Sequence, residues 1–510
     1  MPQFQTHALN TFKGLDERMQ IGASFETTTS LDNVIVRNGN VFGRKGLALW
    51  DAISSAAGNI ITDLAEFYAP ASATSSLLRM TTNKLEVWND SGNTWDDITG
   101  TALNGATTDR PCFATMSDEG FVVFTNEGHD RPRKYDGTGT SVELAGTPPY
   151  CKWLEPYVGF LFLFNTSTTG SFNVTADSIT AYFSDVPDGD WSPCENNIIV
   201  FDESPGELRA ARVFAQTLGV YKSDCIVALR FVGGLTRFNR QKLPFSLGIL
   251  APKSLQNIGE FGQIFLATDR NLYQTDLNQV KPLPPNVQKS LQETMTAAKA
   301  ANARGYVDLS HETYHLLYQR NSSTYFDGRL SYNYRTGEFY RGAYTGFEFT
   351  AALGYRTTNN VNAQLVVAGS DKKVYEQESG TDDNGTKVSR YYDLDWNQYG
   401  TSGSKWFTGA NLTFTRSSNT QVRISVASDH SHIYQYPRMY ALKGKFPSDV
   451  NSRVEYNVPS PIYGNWFKLR VEFFHYGSTN VVELQEIEPI IAKVSEIPMD
   501  QPNQPYAQRA

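Results

Sequence analysis

The stretch "HETYH", His311 to His315, has the residue types and spacing of a zinc peptidase motif: two imidazoles four residues apart and a carboxylate that could serve as general base. That chemistry needs a helix, which sets the two rings ~6 Å apart. On a strand four residues span ~13 Å, and one ion cannot reach both. The flanking residues favour the strand. Positions 306–309 and 313–318 are aromatic and branched, and Ser310-His311-Glu312 makes a good turn between them. His315 is followed by "LLYQRN", without the Gly and His of the extended motif, and position 335 is Arg. The two histidines are therefore expected at different places on a hairpin, with no metal between them.

Two other stretches carry candidate ligands. "SDVPDGDW", residues 184–191, could suggest a calcium loop or the Asp-box turn of sialidases. Pro187 breaks the alternation of oxygen ligands that calcium requires, however, and the Asp and Gly fall one position late for an Asp box, with Asp190 in place of Thr. A structural turn is expected. "HSH" at 430–432 would put two histidines on one strand face, but no Cys or third His lies near, and surface turn chemistry is the simpler reading. There is no nucleophile elbow, phosphate loop or dinucleotide fingerprint. No catalytic, cofactor-binding or metal-binding residue is assigned, and a non-enzymatic protein is expected.

The elements around these residues read as strands. The 510 residues include 27 Tyr, 30 Phe and 8 Trp, and only 19% are charged. That mix suits pleated surfaces and many turns. The net charge of −8 is spread along the chain, with no basic block to grip phosphates. Cys112, Cys151, Cys194 and Cys225 lack the close pairing of zinc knuckles and read as buried free thiols made in a reducing cytoplasm. The first residues lack a signal peptide's charged start and apolar core. The longest apolar run, "VGFLFLF" at 158–164, is far shorter than the ~20 residues of a membrane helix.

One element recurs along the chain: an aromatic strand, a polar turn, then often a second aromatic. It appears around Trp88 and Trp95, Tyr135, Tyr182 and Trp191, Tyr273, Tyr334 and Phe339, and Tyr375, with a weaker beat near Phe231. Beats roughly 40–60 residues apart predict a β-propeller of about six or seven blades over residues 51–389. Residues 286–304 break the pattern and predict a helix inserted on the propeller rim. Asn286 is its cap, Gly305 its stop, and Val287, Leu291, Met295 and Ala298 form its apolar stripe. Beyond residue 390 the alternation lengthens, predicting a β-sandwich over 390–495 and an extended Pro- and Gln-rich tail over 496–510. Residues 1–50 read as an arm, ordered by a partner, followed by a hairpin turning at Asn38-Gly39 and leading into the first blade.

In order along the chain, several segments resemble those of a family, the β-propeller proteins of tailed-phage tails: the nozzle, tail-hub, tail tubular or DNA-stabilisation proteins of short-tailed phages. They are "LDNVIVRNGNVFGRKGL", with Lys45 where Pro is common; "YFSDVPDGDWS"; "LPFSLGILAPKSLQNIGEFGQIFLATDRNLYQTD"; and "LSYNYRTGEFYRG", with Phe339 in place of Trp. With "FKGLDERM" before them and a helix and "YHLLYQ" ahead of the last, their order runs through most of residues 12–385. The resemblance implies a virion structural protein, made in the host cytoplasm and placed in the tail. Its copies would form a homo-oligomeric ring, six-fold by family expectation, that continues the DNA-ejection channel and contacts an adaptor, fibre or needle protein. DNA would pass without sequence-specific binding. The alternatives are a virion propeller module that binds host glycan or anchors tail fibres and, more remotely, a hydrolase.

Overall fold

A computed structural model describes residues 4–493 except 7, 19–25, 51–58, 70–73, 173–176, 190, 192–196, 235–236, 321, 345, 357–363, 381, 400–402, 416–419, 430, 432, 442–452 and 476–482. The strands of the central region pair in six groups of four, each a consecutive antiparallel meander, and a seventh, six-stranded sheet that takes in one strand from near the N-terminus. Blade one comprises Ile61–Ala69, Thr74–Thr81, Leu85–Asn89 and Thr94–Asp97. Blades two to six begin with Cys112–Met116, Tyr150–Tyr157, Leu208–Phe214, Gln256–Asn257 and Arg304–Asp308, and blade seven with Phe349–Tyr355. Among the described residues this makes a seven-bladed β-propeller.

The recurring aromatic marks the third strand of a blade or the turn that follows it. Trp88 on the third strand of blade one pairs across the turn with Trp95 on the fourth, ring centroids 5.3 Å apart. In blades five and seven the third-strand tyrosine reaches back to the preceding turn: the Tyr273 hydroxyl donates to Asp269 at 2.8 Å, and that of Tyr375 to Asp371. The weak beat at Phe231 ends the third strand of blade four, Ile226–Phe231. It is a full blade.

Blade seven is closed by a strand from the other end of the chain. Its first three strands, Phe349–Tyr355, Gln364–Gly369 and Val374–Gln377, are followed in space by Leu47–Leu49, with Tyr375 opposite Leu49 and Gln377 opposite Leu47. A propeller joined only by consecutive meanders leaves its first and last blades free to part. An N-terminal outer strand on the last blade ties the ring.

The hairpin at Asn38-Gly39 does form, with φ of 51° and 76° at the two turn residues, but it does not lead directly into blade one. Strands Val34–Arg37 and Asn40–Gly43 extend a sheet completed by Glu483–Lys493, Lys405–Thr415 and Arg453–Gly464, and Phe4–Thr6 also pairs with Glu483–Lys493. The facing sheet runs Leu31–Asp32, Arg390–Asn397, Phe467–His475, Thr420–Ser428, Gln435–Ala441. The alternation seen beyond residue 390 is thus a sandwich into which residues before 44 are woven. Phe407 and Phe467 meet across it at 5.6 Å, and Leu412, Phe414, Ile424 and Val471 are buried with them.

Within the arm, Leu9, Phe12 and Leu15 are buried in the core shared by the sandwich and blades five and six. The Leu15 amide donates to the Phe339 carbonyl at 2.7 Å, and the Phe12 ring stands edge-on to Tyr392 at 5.4 Å. The described part of the arm is held by its own chain rather than waiting on a partner.

The inserted helix is also different. It comprises a 3₁₀ turn, Pro285–Val287, and two short helices, Gln288–Thr294 and Ala297–Ala300, separated by extended Met295. Thr296 caps the second helix by accepting from the Lys299 amide, which ends the first helix where the sequence seemed to continue it. Val287, Leu291 and Met295 are buried as the apolar stripe requires, but past the break at Met295 the register changes: Ala298 is exposed and Ala300 is buried instead, and Asn286 lies within the 3₁₀ turn rather than capping a helix. Gly305 does not stop a helix. It lies in the inner strand of blade six, where a Cβ would come within 2.6 Å of the Ser254 carbonyl. Residues 496–510 lie outside the described part of the chain.

Candidate functional site

Two of the places that gather titratable groups bear on the sequence reading: the propeller axis and the "HETYH" hairpin. The axis is built by the inner strands, whose side chains alternate between the blade interior and the centre. All seven blades contribute to a cavity of about 240 Å³ there, among them Asp63, Cys112, Trp153, Arg212, Gln256, Arg304 and Ala352.

The charged groups on the axis are engaged with one another. Asp63 accepts from Lys253 at 2.6 Å and from Arg304 at 2.7 Å, and all three are buried or nearly so. Arg304 also donates to the Thr62 carbonyl at 2.6 Å, and the Lys253 ammonium lies 5.4 Å from the Trp153 ring centroid. Glu155 accepts from the Val213 amide at 3.1 Å and faces Arg212 at 3.8 Å; burial pushes its carboxyl above the usual range. Glu66 accepts from the Ser75 hydroxyl at 2.8 Å. Burial raises the Cys112 thiol to about 11, leaving it protonated and a poor nucleophile at neutral pH. The chemistry this supports is structural: charges of both signs close the hole that blade geometry leaves.

At the hairpin, Asp308 ends the inner strand of blade six, and its carboxylate accepts from the amides of Ser310 and His311, forming the turn. Glu312 completes the turn in the left-handed region at φ 52°, and Thr313–Tyr318 begins the second strand. His311 sits on the half-exposed turn with Nδ1 2.6 Å from Asp308. His315 points from the strand into the protein, 3% exposed, with Nδ1 2.8 Å from the Ser331 hydroxyl and its ring stacked on Tyr306 at 4.8 Å. The two rings thus have separate partners, and Glu312 pairs with Arg335 at 2.5 Å. Among the described residues no three His, Cys, Asp or Glu side chains are grouped to hold a metal ion.

Burial and the neighbouring Arg329 push His315 well below the usual 6.5. Burial alone would raise Asp308, but the hydrogen bond from His311 and the nearby imidazoles outweigh it and hold that carboxyl low. The sign for His315 follows directly. Above pH ~6.5 both folded and unfolded states carry it neutral; below, only the unfolded state takes the proton, so stability falls with pH by up to ~1.4 kcal/mol per unit. Urea unfolding of the His315→Gln variant is expected to show a flatter dependence between pH 6.5 and 5 than the parent. An unchanged slope would remove His315 as the cause.

The other stretches resolve in part. In "SDVPDGDW" the Ser184 hydroxyl accepts from the Val186 amide, Trp191 donates its indole N–H to the Pro187 carbonyl at 2.5 Å, and Asp188 pairs with Lys134, so the turn is held by its own side chains. His430 and His432 lie outside the described residues, as does Cys194. Cys112, Cys151 and Cys225 are buried free thiols. No described helix is long and apolar enough to cross a membrane.

No family model matches the sequence, and no curated protein does. Among solved structures, YCF48 from Cyanidioschyzon merolae aligns at a TM-score of 0.40 and 10% identity, over 65% of this chain and 98% of that one. An exo-β-1,3-galactanase from Phanerochaete chrysosporium, solved with β-1,3-galactotriose, aligns at 0.26 and 11%, over 69% of this chain and 96% of that one. The class rests on the seven sheets themselves: an all-β chain joining a propeller to a two-sheet sandwich.

Proposed function

We propose that this chain is a virion structural protein whose copies assemble into a ring-shaped tail nozzle or hub. The observation that carries the reading is the pair of free sheet edges. Among the described residues, Gln435–Ala441 and Arg453–Gly464 each end a sandwich sheet without a further partner. Ile433, Met439 and Tyr463, at or beside those edges, are 72%, 47% and 48% exposed. Unpaired edges flanked by apolar side chains suit head-to-tail contact between identical copies, and such contacts close into rings when the rotation allows.

The resemblance in motif order along residues 12–385 supports the tail assignment, and the neutralised axis supports a structural rather than catalytic role. On this reading DNA passes through the centre of the ring of copies, since each propeller's own axis is narrowed to a small charged cavity. Negative-stain imaging and light scattering of the purified chain should show closed rings. A strict monomer at micromolar concentration would overturn the proposal, and a monomer that retains glycans or a fibre protein would favour the docking alternative.

A further inference from the structure

Beside the "HETYH" hairpin, where blades six and seven meet the sandwich hairpin, lies a cavity of about 320 Å³. That volume is at the lower end of the ~300–1,000 Å³ typical of small-molecule sites. Its apolar wall comes from Ile35, Phe42 and Leu365. Its acids are already committed. Asp308 holds His311 and two amides, and Glu378 accepts from Arg329 at 2.8 Å and from the Lys45 amide at 3.0 Å. Its cations are not. Arg37 and Lys45 both line the cavity, and neither side chain has a hydrogen-bond or ion-pair partner among the described residues. Arg37 lines the cavity together with His315 and Tyr340.

His315 supplies the independent sign of a missing occupant. It is buried, it lines the cavity, and its Nε2 has no partner although Nδ1 is satisfied by Ser331. Buried polar atoms are paired in the great majority of cases, because an unmet one costs ~1–3 kcal/mol. With the Ser331 hydroxyl donating to Nδ1, the Nε2–H becomes a donor facing the cavity. Two unpaired cations, one buried donor and an apolar wall describe a complementary shape.

We propose that this cavity binds a small organic anion: an acid group held by Arg37, Lys45 and His315 Nε2, and an apolar or aromatic body against Ile35, Phe42 and Leu365. Carboxylate and phosphate monoester heads share this chemistry, and the test separates them. Benzoate, phenyl phosphate, the neutral benzyl alcohol and the cationic benzylamine would be titrated against the full chain by saturation-transfer NMR and calorimetry. At least one acid is expected to bind, with the neutral and cationic probes roughly tenfold or more weaker. The acid that binds identifies the head group.

The double variant Arg37→Gln/Lys45→Met changes only partly exposed side chains and should keep its melting temperature while weakening the acid by roughly tenfold or more. Failure of both acids to bind, equal binding of benzyl alcohol, or full affinity in the double variant would each overturn the proposal. Because these are binding readouts on the chain in any oligomeric state, their failure is distinct from a failure to form rings.

Discussion

Replacing Arg44 by methionine is expected to cost the fold about 3–5 kcal/mol, the range for breaking a buried ion pair from one side. Arg44 is 1% exposed and lies between the last sandwich strand of the hairpin and the strand that closes blade seven. Its guanidinium forms two bonds to Asp383, at 2.8 and 2.5 Å, one to Asn33 at 2.7 Å and one to the Lys45 carbonyl at 2.9 Å, and it packs 4.3 Å from the Tyr344 ring centroid. Arg390, where the chain leaves the propeller, donates to the Arg44 carbonyl at 2.6 Å. Both chain crossings between propeller and sandwich in this region, 43–47 and 383–390, are tied at this one residue. Urea unfolding should show the loss as a lower midpoint, and Asp383→Leu added to Arg44→Met should recover part of it, since the stranded carboxylate is then gone. A loss under about 1 kcal/mol would mean the tie holds nothing.

Asp63→Leu should be comparably damaging, about 3–5 kcal/mol, for a different reason. Lys253 and Arg304 would face each other across the axis with no acid between them, their side chains only 14% and 7% exposed. Each is anchored to a different blade, so relief requires blades to separate. The triple variant Asp63→Leu/Lys253→Met/Arg304→Met removes all the charges and should recover most of the stability. If the single variant is as stable as the parent, the ion-pair cluster is not what closes the propeller.

The sequence reading succeeded where structure is written locally. Blades one to six are meanders with a turn between consecutive strands, as are the first three strands of blade seven, and turn chemistry plus an aromatic on or just after the third strand repeats in the letters; Asp269–Tyr273 and Asp371–Tyr375 are that signature as hydrogen bonds. It faltered where a distant partner decides. The hairpin at Asn38-Gly39 looks the same whether its outer strand meets blade one or Glu483–Lys493, and nothing near residue 47 announces a partner at 377. Leu9, Phe12 and Leu15 have neither helical nor strand period because they are an extended segment laid into a shared core. Thr296 could be recognised as a cap, yet Ala- and Lys-rich neighbours hid the break. The His315 cavity was illegible because it joins residues 35–45 to residues from 308 onward, far away along the chain. "HETYH" was legible as a turn and the start of a strand because its own flanking residues decide it.

The closing strand at 47–49 and the sandwich strands before it have a consequence for synthesis. Residues 34–43 leave the ribosome long before their sheet partner, Glu483–Lys493, which is among the last described segments to be made. Leu47–Leu49 waits for residues 375–377. Neither unit can be finished while the chain is still short, and the waiting edges are of the kind that pair with the wrong neighbour. Blades one to six are the part that can form in passing, so a nascent chain stalled before residue 375 should display blades without their latch, and one stalled between the latch partner and residue 483 a closed propeller beside an open half-sandwich.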